Sequence, residues 1–302
     1  MPDREERTGS TRVGIAGWTF PPWRGSFYPK GLKQKDELSH ASNQFATLEI
    51  NGTFYSLQKP ETFRSWAAAT PDGFVFSMKA PQYVTHMRRL KDVEAPIANF
   101  FASGLFALGP KLGPILWQIP PKLPFDRERI ETWLKLLPKH TMAAAAMARR
   151  HEPRLEGRAL TEPEHDGPIR HAVEVRHESY ADPAFIGLLR EHNVALVLTD
   201  GVEEYPRLGD VTADFVYVRL HVSKAHGEGG YGHAALDAWA DRSRVWSKGG
   251  EPEGLRRVAP EPPARLAHRD VFLYLDAAGD EEVKLFTPPN ATALADRLRP
   301  RS

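Results

Sequence analysis

Phe215-Val216-Tyr217-Val218-Arg219-Leu220-His221 is apolar on both of its alternating faces until its last three residues, where one face turns charged. Side chains at i and i+2 share a face of a strand, so Tyr217, Arg219 and His221 point one way and Val216, Val218 and Leu220 the other. A strand of a one-sided antiparallel sheet alternates apolar and polar along its whole length, whereas this stretch reads as a strand covered on both faces with a polar C-terminal end. Seven more stretches of strand length are read beside it, most of them too apolar for a one-sided sheet: Val13–Trp18, Thr47–Gly52, Val75–Ala80, Ile115–Ile119, His171–Arg176, Ala195–Asp200 and Val271–Asp276.

Stretches of helical period separate most of them. Leu38, Ala41 and Phe45 suggest a helix in the first connection, and Pro60 opens one that carries Phe63, Trp66 and Ala67. Ile97, Phe100, Phe101, Leu105 and Leu108 form one apolar stripe stopped at Gly109-Pro110. Asp126 caps a helix burying Ile130, Trp133, Leu134 and Leu137, and Asp182 with Pro183 at the first helical position opens another. Glu203 to Asp214 is short, room for about one turn. A final helix runs roughly from Ala291 to Leu298. Alternation of this kind predicts a parallel α/β fold, a single (β/α)8 TIM-type barrel. The competing open sheet with a dinucleotide site lacks its G-x-G-x-x-G turn at the first junction. Residues 1–11 read as a disordered tail, and 12–302 as the barrel, with insertions at about 143–170 and 224–269. The second holds an amphipathic helix (Leu236, Trp239, Trp246) and a Gly/Pro-rich stretch, 249–263, expected to be mobile.

The bulk numbers narrow the classes. Hydrophobic residues make up 41% of the 302, enough for a sizeable core. With 40 basic and 39 acidic side chains the net charge is +1, which gives no electrostatic case for a dedicated nucleic-acid or membrane binder. There is no cysteine, so disulfides, thiolate nucleophiles and cysteine-held zinc are excluded. The polar N-terminus lacks an apolar signal region, and a cytoplasmic protein is expected.

In a barrel, polar residues at the C-terminal strand ends open onto the ligand pocket. Those ends carry Trp18, Glu49 with Asn51, Lys79, Gln118, Glu174 with Arg176 and the adjoining His177, Asp200, Arg219 with His221, and Asp276. Placing so many charges at one end without use would be costly. Lys79, Arg176 and Arg219 suit phosphate or carboxylate groups, and Glu49, Glu174, Asp200 and His221 suit proton transfer. Tyr55 and His86 lie on the loops after strands two and three, within reach of the mouth. The segment from His226 to Gly232, with its glycines and Tyr231, has the make-up of a lid. A metal site would rest on Glu, Asp and His at neighbouring strand ends; no metal ligand is assigned, and no residue pattern identifies a cofactor.

At these residues the chain resembles a known family, domain-of-unknown-function family 72, the YecE-like proteins. The matching stretches are collinear: Gly14-Ile15-Ala16-Gly17-Trp18, Glu49-Ile50-Asn51-Gly52-Thr53-Phe54-Tyr55, Lys79-Ala80-Pro81 with Thr85-His86, Leu116-Trp117-Gln118-Ile119-Pro120-Pro121, Val173-Glu174-Val175-Arg176-His177 and Tyr217-Val218-Arg219-Leu220-His221. The resemblance implies a TIM-type barrel with a shared pocket and no particular reaction. After strand eight the family has an Asp/Asn cluster, of which Asp276 is the match here.

Three functions fit these readings. The first is an enzyme binding a small anionic substrate through Lys79, Arg176 and Arg219, with Glu174, Asp200, His221 or Lys79 moving the proton. A metal-dependent phosphodiester hydrolase, acting on nucleic acid in one version, is the second. The third is a barrel that binds a metabolite without turnover.

Overall fold

Eight parallel strands close on themselves in sequence order in a computed structural model that describes residues 9–227, 229–277 and 281–299. They are β1 (Thr11–Ala16), β2 (Thr47–Ile50), β3 (Val75–Lys79), β4 (Leu112–Gln118), β5 (His171–Glu174), β6 (Ala195–Asp200), β7 (Phe215–Val222) and β8 (Asp270–Ala277). Pairing of β1 with β8, from Thr11 against Val271 to Ile15 against Leu275, makes the closure, so the expected barrel is the observed one. Thr11, assigned to a disordered tail from the sequence, opens β1, and Ser10 donates to Asp270 Oδ1 at 2.9 Å from its backbone; residues 1–8 lie outside the described residues.

Helices cover the outside: α1 (Glu37–Gln44), α2 (Gly52–Tyr55), α3 (Pro60–Ala68), α4 (Glu94–Ala102), α5 (Arg127–Leu136), α6 (Thr141–Ala148), α7 (Pro183–Glu191), α8 (His233–Ser247), α9 (Glu281–Lys284) and α10 (Thr287–Leu298). Both aspartate caps form: Asp126 accepts from Arg129 N at 3.1 Å and Asp182 from Ala184 N at 2.7 Å, each satisfying a helix N–H that would otherwise lack a partner. Three differences from the sequence reading have physical causes. The stripe from Ile97 to Leu108 is split, with α4 ending at Ala102 and a tighter 3-10 segment over Leu105–Lys111. Gly104, at φ 126°, makes the break, and a Cβ there would stand 2.6 Å from Pro60 Cα. Residues 201–214 contain no helix, only a single turn closed by Tyr205 N to Val202 O at 3.4 Å. Their polar groups pair instead with the long β7–β8 connection: Gly209 N donates to Arg256 O, and the buried Asp210 carboxylate accepts from Val258 N and Ala259 N at 2.9 and 3.0 Å. The same bonds pin part of the 249–263 segment that its composition marks as mobile.

Two apolar layers result from the period of two. Outward side chains, Leu48, Phe76, Trp117, Val173, Leu198, Val218 and Leu273 among them, pack under the helices, where burying each such side chain stabilises by about 1.5–3 kcal/mol. Inward ones, including Leu116, Ala172, Val197, Phe215 and Phe272, fill the barrel. Gly14 keeps β1 against β2, since a Cβ would fall 1.9 Å from Thr47 O. Above this filling the interior turns polar, and the turn is built from two tyrosines: Tyr274 OH lies 2.7 Å from Thr47 Oγ1 and Tyr217 OH 2.7 Å from Ser77 Oγ. Among the described residues no helix is long and apolar enough to cross a membrane.

Candidate functional site

The tyrosine layer is the floor of a charged one. The inward parity that places Thr47, Ser77, Leu116, Ala172, Tyr217 and Tyr274 inside places Glu49, Lys79, Gln118, Glu174, Arg219 and Asp276 one step higher, towards the C-terminal ends. Arg219, 1% exposed, is the centre. Its Nε and Nη2 grip the two oxygens of Glu49 at 3.1 and 2.9 Å, Nη1 donates to Glu174 Oε2 at 2.5 Å, and Nη2 also reaches Asp276 Oδ2 at 2.6 Å. Tyr217 OH donates to Glu49 Oε2 at 2.7 Å. Glu174 Oε1 accepts from Gln118 Nε2 at 3.0 Å and Arg176 Nε at 2.6 Å. Burial disfavours the charge on Glu174, but Arg219 and then Arg176 outweigh it and hold the carboxyl well below the usual range; Asp276 is lowered in the same way, chiefly by Arg219 against burial. Three carboxylates thus face three cations, Lys79, Arg176 and Arg219, and a buried charge layer of this kind is tolerable only because each member finds partners.

Lys79 is the exception. It is 9% exposed, yet its Nζ has no carboxylate or hydrogen-bond acceptor among the described residues and lies 4.4 Å from the centre of the Phe54 ring. Burial first and the Arg219 charge second lower its pKa to about 8, with Glu49, Glu174 and Asp276 pulling the other way. Arg176 spends Nε on Glu174 and lays its guanidinium over Tyr205 at 4.5 Å, with no further acceptor among the described residues. His86 stands on a five-residue π-helical turn, Tyr83–Met87, edge-on to the same Phe54 ring at 5.1 Å, its Nδ1 2.8 Å from Thr85 Oγ1. Its pKa is lowered by burial and then by the Arg176 and Lys79 charges. The turn is followed by Arg89, Leu90 and Asp92 at positive φ, a run that costs about 1–3 kcal/mol per residue and persists only where the surroundings hold it. Leu90 is buried and Arg89 Nη2 donates to Lys122 O at 2.6 Å, which supply that hold.

The remaining expected residues divide. His221 is buried inside the barrel, registered with Asp276 on β8, and its Nε2 has no hydrogen-bond partner among the described residues. Asn51 sits just beyond β2 with its Oδ1 buried and unpartnered, and half-buried Trp18 packs edge-on against Trp66 at 5.4 Å. His177 turns to Ser179, 2.7 Å from its Oγ. Asp200 does not join the layer. Ala195 and Val197 point inward, so Thr199, opposite Arg219, takes the inward place, and Asp200 pairs instead with Arg207 at 3.4 Å. Tyr231 is 5% exposed, stacked on His226 at 3.9 Å, with its backbone N–H donated to Asn290 Oδ1 at 2.7 Å. Glu228 of that same expected lid lies outside the described residues. Tyr55, 72% exposed, rims a separate groove of about 820 Å³ that begins at Phe54 and runs past Tyr83 and Met87. Sequence reasoning misses Thr199, whose buried Oγ1 has no partner, and Phe54, the platform under Lys79 and His86. Strand parity counted back from Ala195 would have found the threonine; nothing short of the fold reveals the phenylalanine.

Burial also keeps two imidazoles neutral. His221 is lowered to about 4 by burial and then by Arg219, and His171 to about 4 by burial, its Nε2 lying 2.8 Å from Pro138 O. Both depressions make the unfolded chain bind protons that the folded chain refuses, so their contribution is complete above about pH 6.5 and drains away as pH falls towards 4. Urea unfolding across that window should show a slope corresponding to about two protons. His171→Asn should remove about one of them, and a flat profile would count against the neutral assignment.

Comparison with known proteins places the chain. The family model described as "Protein of unknown function DUF72" matches residues 12–299. The UPF0759 protein YecE of Escherichia coli (strain K12) is 28% identical over 108 residues, 36% of this chain and 37% of that protein; the UPF0759 protein YunF of Bacillus subtilis (strain 168) is 27% identical over 123 residues, 39% and 43%. These matches thus span less than half the length of either relative. A DUF72 family protein from Thermotoga maritima MSB8 superposes with a TM-score of 0.66 at 21% identity, covering 96% of this chain and 99% of the other. One from Enterococcus faecalis V583 gives 0.61 at 15%, covering 97% and 99%. The second pair shares the barrel at identities that speak for the fold alone, and with the family model matching nearly the whole length, the chain belongs to the DUF72 family.

Proposed function

We propose that the chain is an enzyme acting on a small anionic substrate, phosphate- or carboxylate-bearing, held at the C-terminal strand ends by Lys79 and Arg176. The observation that carries this is the state of Lys79: a lysine 9% exposed whose ammonium pairs with no anion among the described residues, in a layer where Arg219 gives four hydrogen bonds to carboxylates. An anionic group between Lys79 Nζ and the free Nη groups of Arg176 supplies what both lack, in a setting where charge-assisted bonds are strong. Arg219, expected from the sequence as a third clamp, instead spends its donors on the three carboxylates. With a pKa of about 8, Lys79 is also the group best poised to take or give a proton near neutral pH. Glu174 and Glu49 each accept three hydrogen bonds already and serve to set the field. Those bonds compete with a metal ion for the same oxygens, which is why the metal-dependent hydrolase reading finds less support.

A thermal-shift screen of phosphate- and carboxylate-bearing metabolites beside their uncharged counterparts tests this. Anions should stabilise the protein at pH 7, less at pH 9.5 where Lys79 has lost its proton, and less in Arg176→Ala. Equal stabilisation by uncharged sugars, or a shift indifferent to pH and to Arg176, would remove the anion site.

A further inference from the structure

We infer that Lys79 is a covalent nucleophile: it condenses with the carbonyl group of its substrate to form a Schiff base, so that the substrate is an aldehyde or ketone carrying the anionic group. The inference rests on the anion site proposed above and names the chemistry of what occupies it.

Four features of the geometry point there. Lysines held as ammonium by a carboxylate make poor nucleophiles, and Lys79 forms no ion pair among the described residues. Two conditions activate a lysine amine, burial away from water and a neighbouring cation, and Lys79 has both: it is 9% exposed and shares its layer with Arg219. The condensation needs a group to carry protons between nitrogen and oxygen, and His86 stands on the same ring, with Nδ1 anchored to Thr85 Oγ1 and the imidazole partly exposed. Finally, Arg176 has donors to spare for the substrate's phosphate or carboxylate, which orients the carbonyl carbon towards the amine.

The step balances without an oxidant or reductant. The Nζ lone pair attacks the carbonyl carbon and the C=O π pair goes to oxygen. One proton passes from nitrogen to that oxygen, giving the carbinolamine. A second proton, taken up through His86, lets the hydroxyl leave as water and the C=N+ bond form. Summed from the ammonium form, lysine and carbonyl compound give a protonated imine and water. The positive imine then withdraws electrons from the adjacent carbon, which is the use of such an intermediate in proton abstraction or carbon–carbon cleavage next to a carbonyl.

Reductive trapping tests it on the full chain. The protein is incubated with millimolar pyruvate (anionic) or glyceraldehyde (uncharged) and sodium borohydride, which delivers hydride to the imine carbon, and peptides are mapped by mass. The expected result is one adduct per chain, on Lys79, forming about tenfold or more faster than on any other lysine. Lys79→Arg should lose that adduct. Trapping of glyceraldehyde but not pyruvate at Lys79 would uphold the nucleophile and sink the anionic-substrate reading. Anion-induced stabilisation with no adduct on Lys79 from either probe would overturn the nucleophile and leave that reading standing. Label spread evenly over surface lysines would also overturn it.

Discussion

Arg219→Met is expected to destabilise the barrel by about 3–5 kcal/mol, as removal of one partner from a buried ion pair does, and to do so more than any other single change in the charged layer. The reason is what it leaves behind. Glu49 and Glu174 are fully buried, and between them Arg219 supplies three of their hydrogen bonds as well as the compensating charge. Methionine fills similar space but offers no donor, so Glu49 is left with no ion-pair partner and Glu174 with Arg176 alone, unless they take up protons. Proton uptake ties the loss to pH: unfolding in urea should show Arg219→Met recovering part of its deficit as pH is lowered from 7 towards 5, where protonation of the carboxyls becomes affordable. Asp276→Asn removes a partner that keeps 21% exposure and should cost much less. A deficit below about 1 kcal/mol for Arg219→Met would mean that the layer is wet and that the carboxylates find water in place of the guanidinium.

What the sequence discloses of this arrangement follows the physics of strands. Period two makes the inward face of β7 legible as Tyr217, Arg219 and His221, and the same parity finds Glu49, Glu174 and Asp276, which is why the charged layer can be listed before the fold is known. The parity argument fails where a strand's phase is misjudged by one residue. Asp200 is the polar residue at the end of β6 and draws attention for that, while the inward neighbour is Thr199, less conspicuous because its hydroxyl is not charged. Distances are beyond any such reading. That Arg219 hydrogen-bonds three carboxylates, whereas Lys79 pairs directly with none among the described residues, decides which cation is open to a ligand, and both look alike as basic residues at strand ends. The loop behaviour is also hidden: composition marks 249–263 as mobile, but Asp210, an unremarkable acid forty-eight residues before Val258, holds its backbone.

Lys79→Met should act in the opposite sense to Arg219→Met, stabilising the fold at pH 7 by up to about 3 kcal/mol while abolishing anion-dependent stabilisation. The sign comes from linkage. The folded-state pKa of Lys79, about 8, lies below its ordinary 10.5, so between those values the unfolded chain binds a proton that the folded chain has released, and stability rises with pH across that window. Below pH 8 the folded protein bears the full cost of keeping an ammonium largely out of water and beside Arg219; above about 10.5 neither state is charged and the cost is gone. Methionine matches the lysine stem in length, packs on the same ring and carries no charge, so its advantage should be largest at pH 7 and vanish near pH 10.5. Urea unfolding of both proteins at pH 7 and pH 10.5 reads this directly. If Lys79→Met is less stable at pH 7, the three carboxylates depend on the ammonium as a counter-ion, and Lys79 belongs to the scaffold with Arg219. If it is more stable and no longer answers to anions, the protein keeps a destabilising lysine where only a ligand can use it.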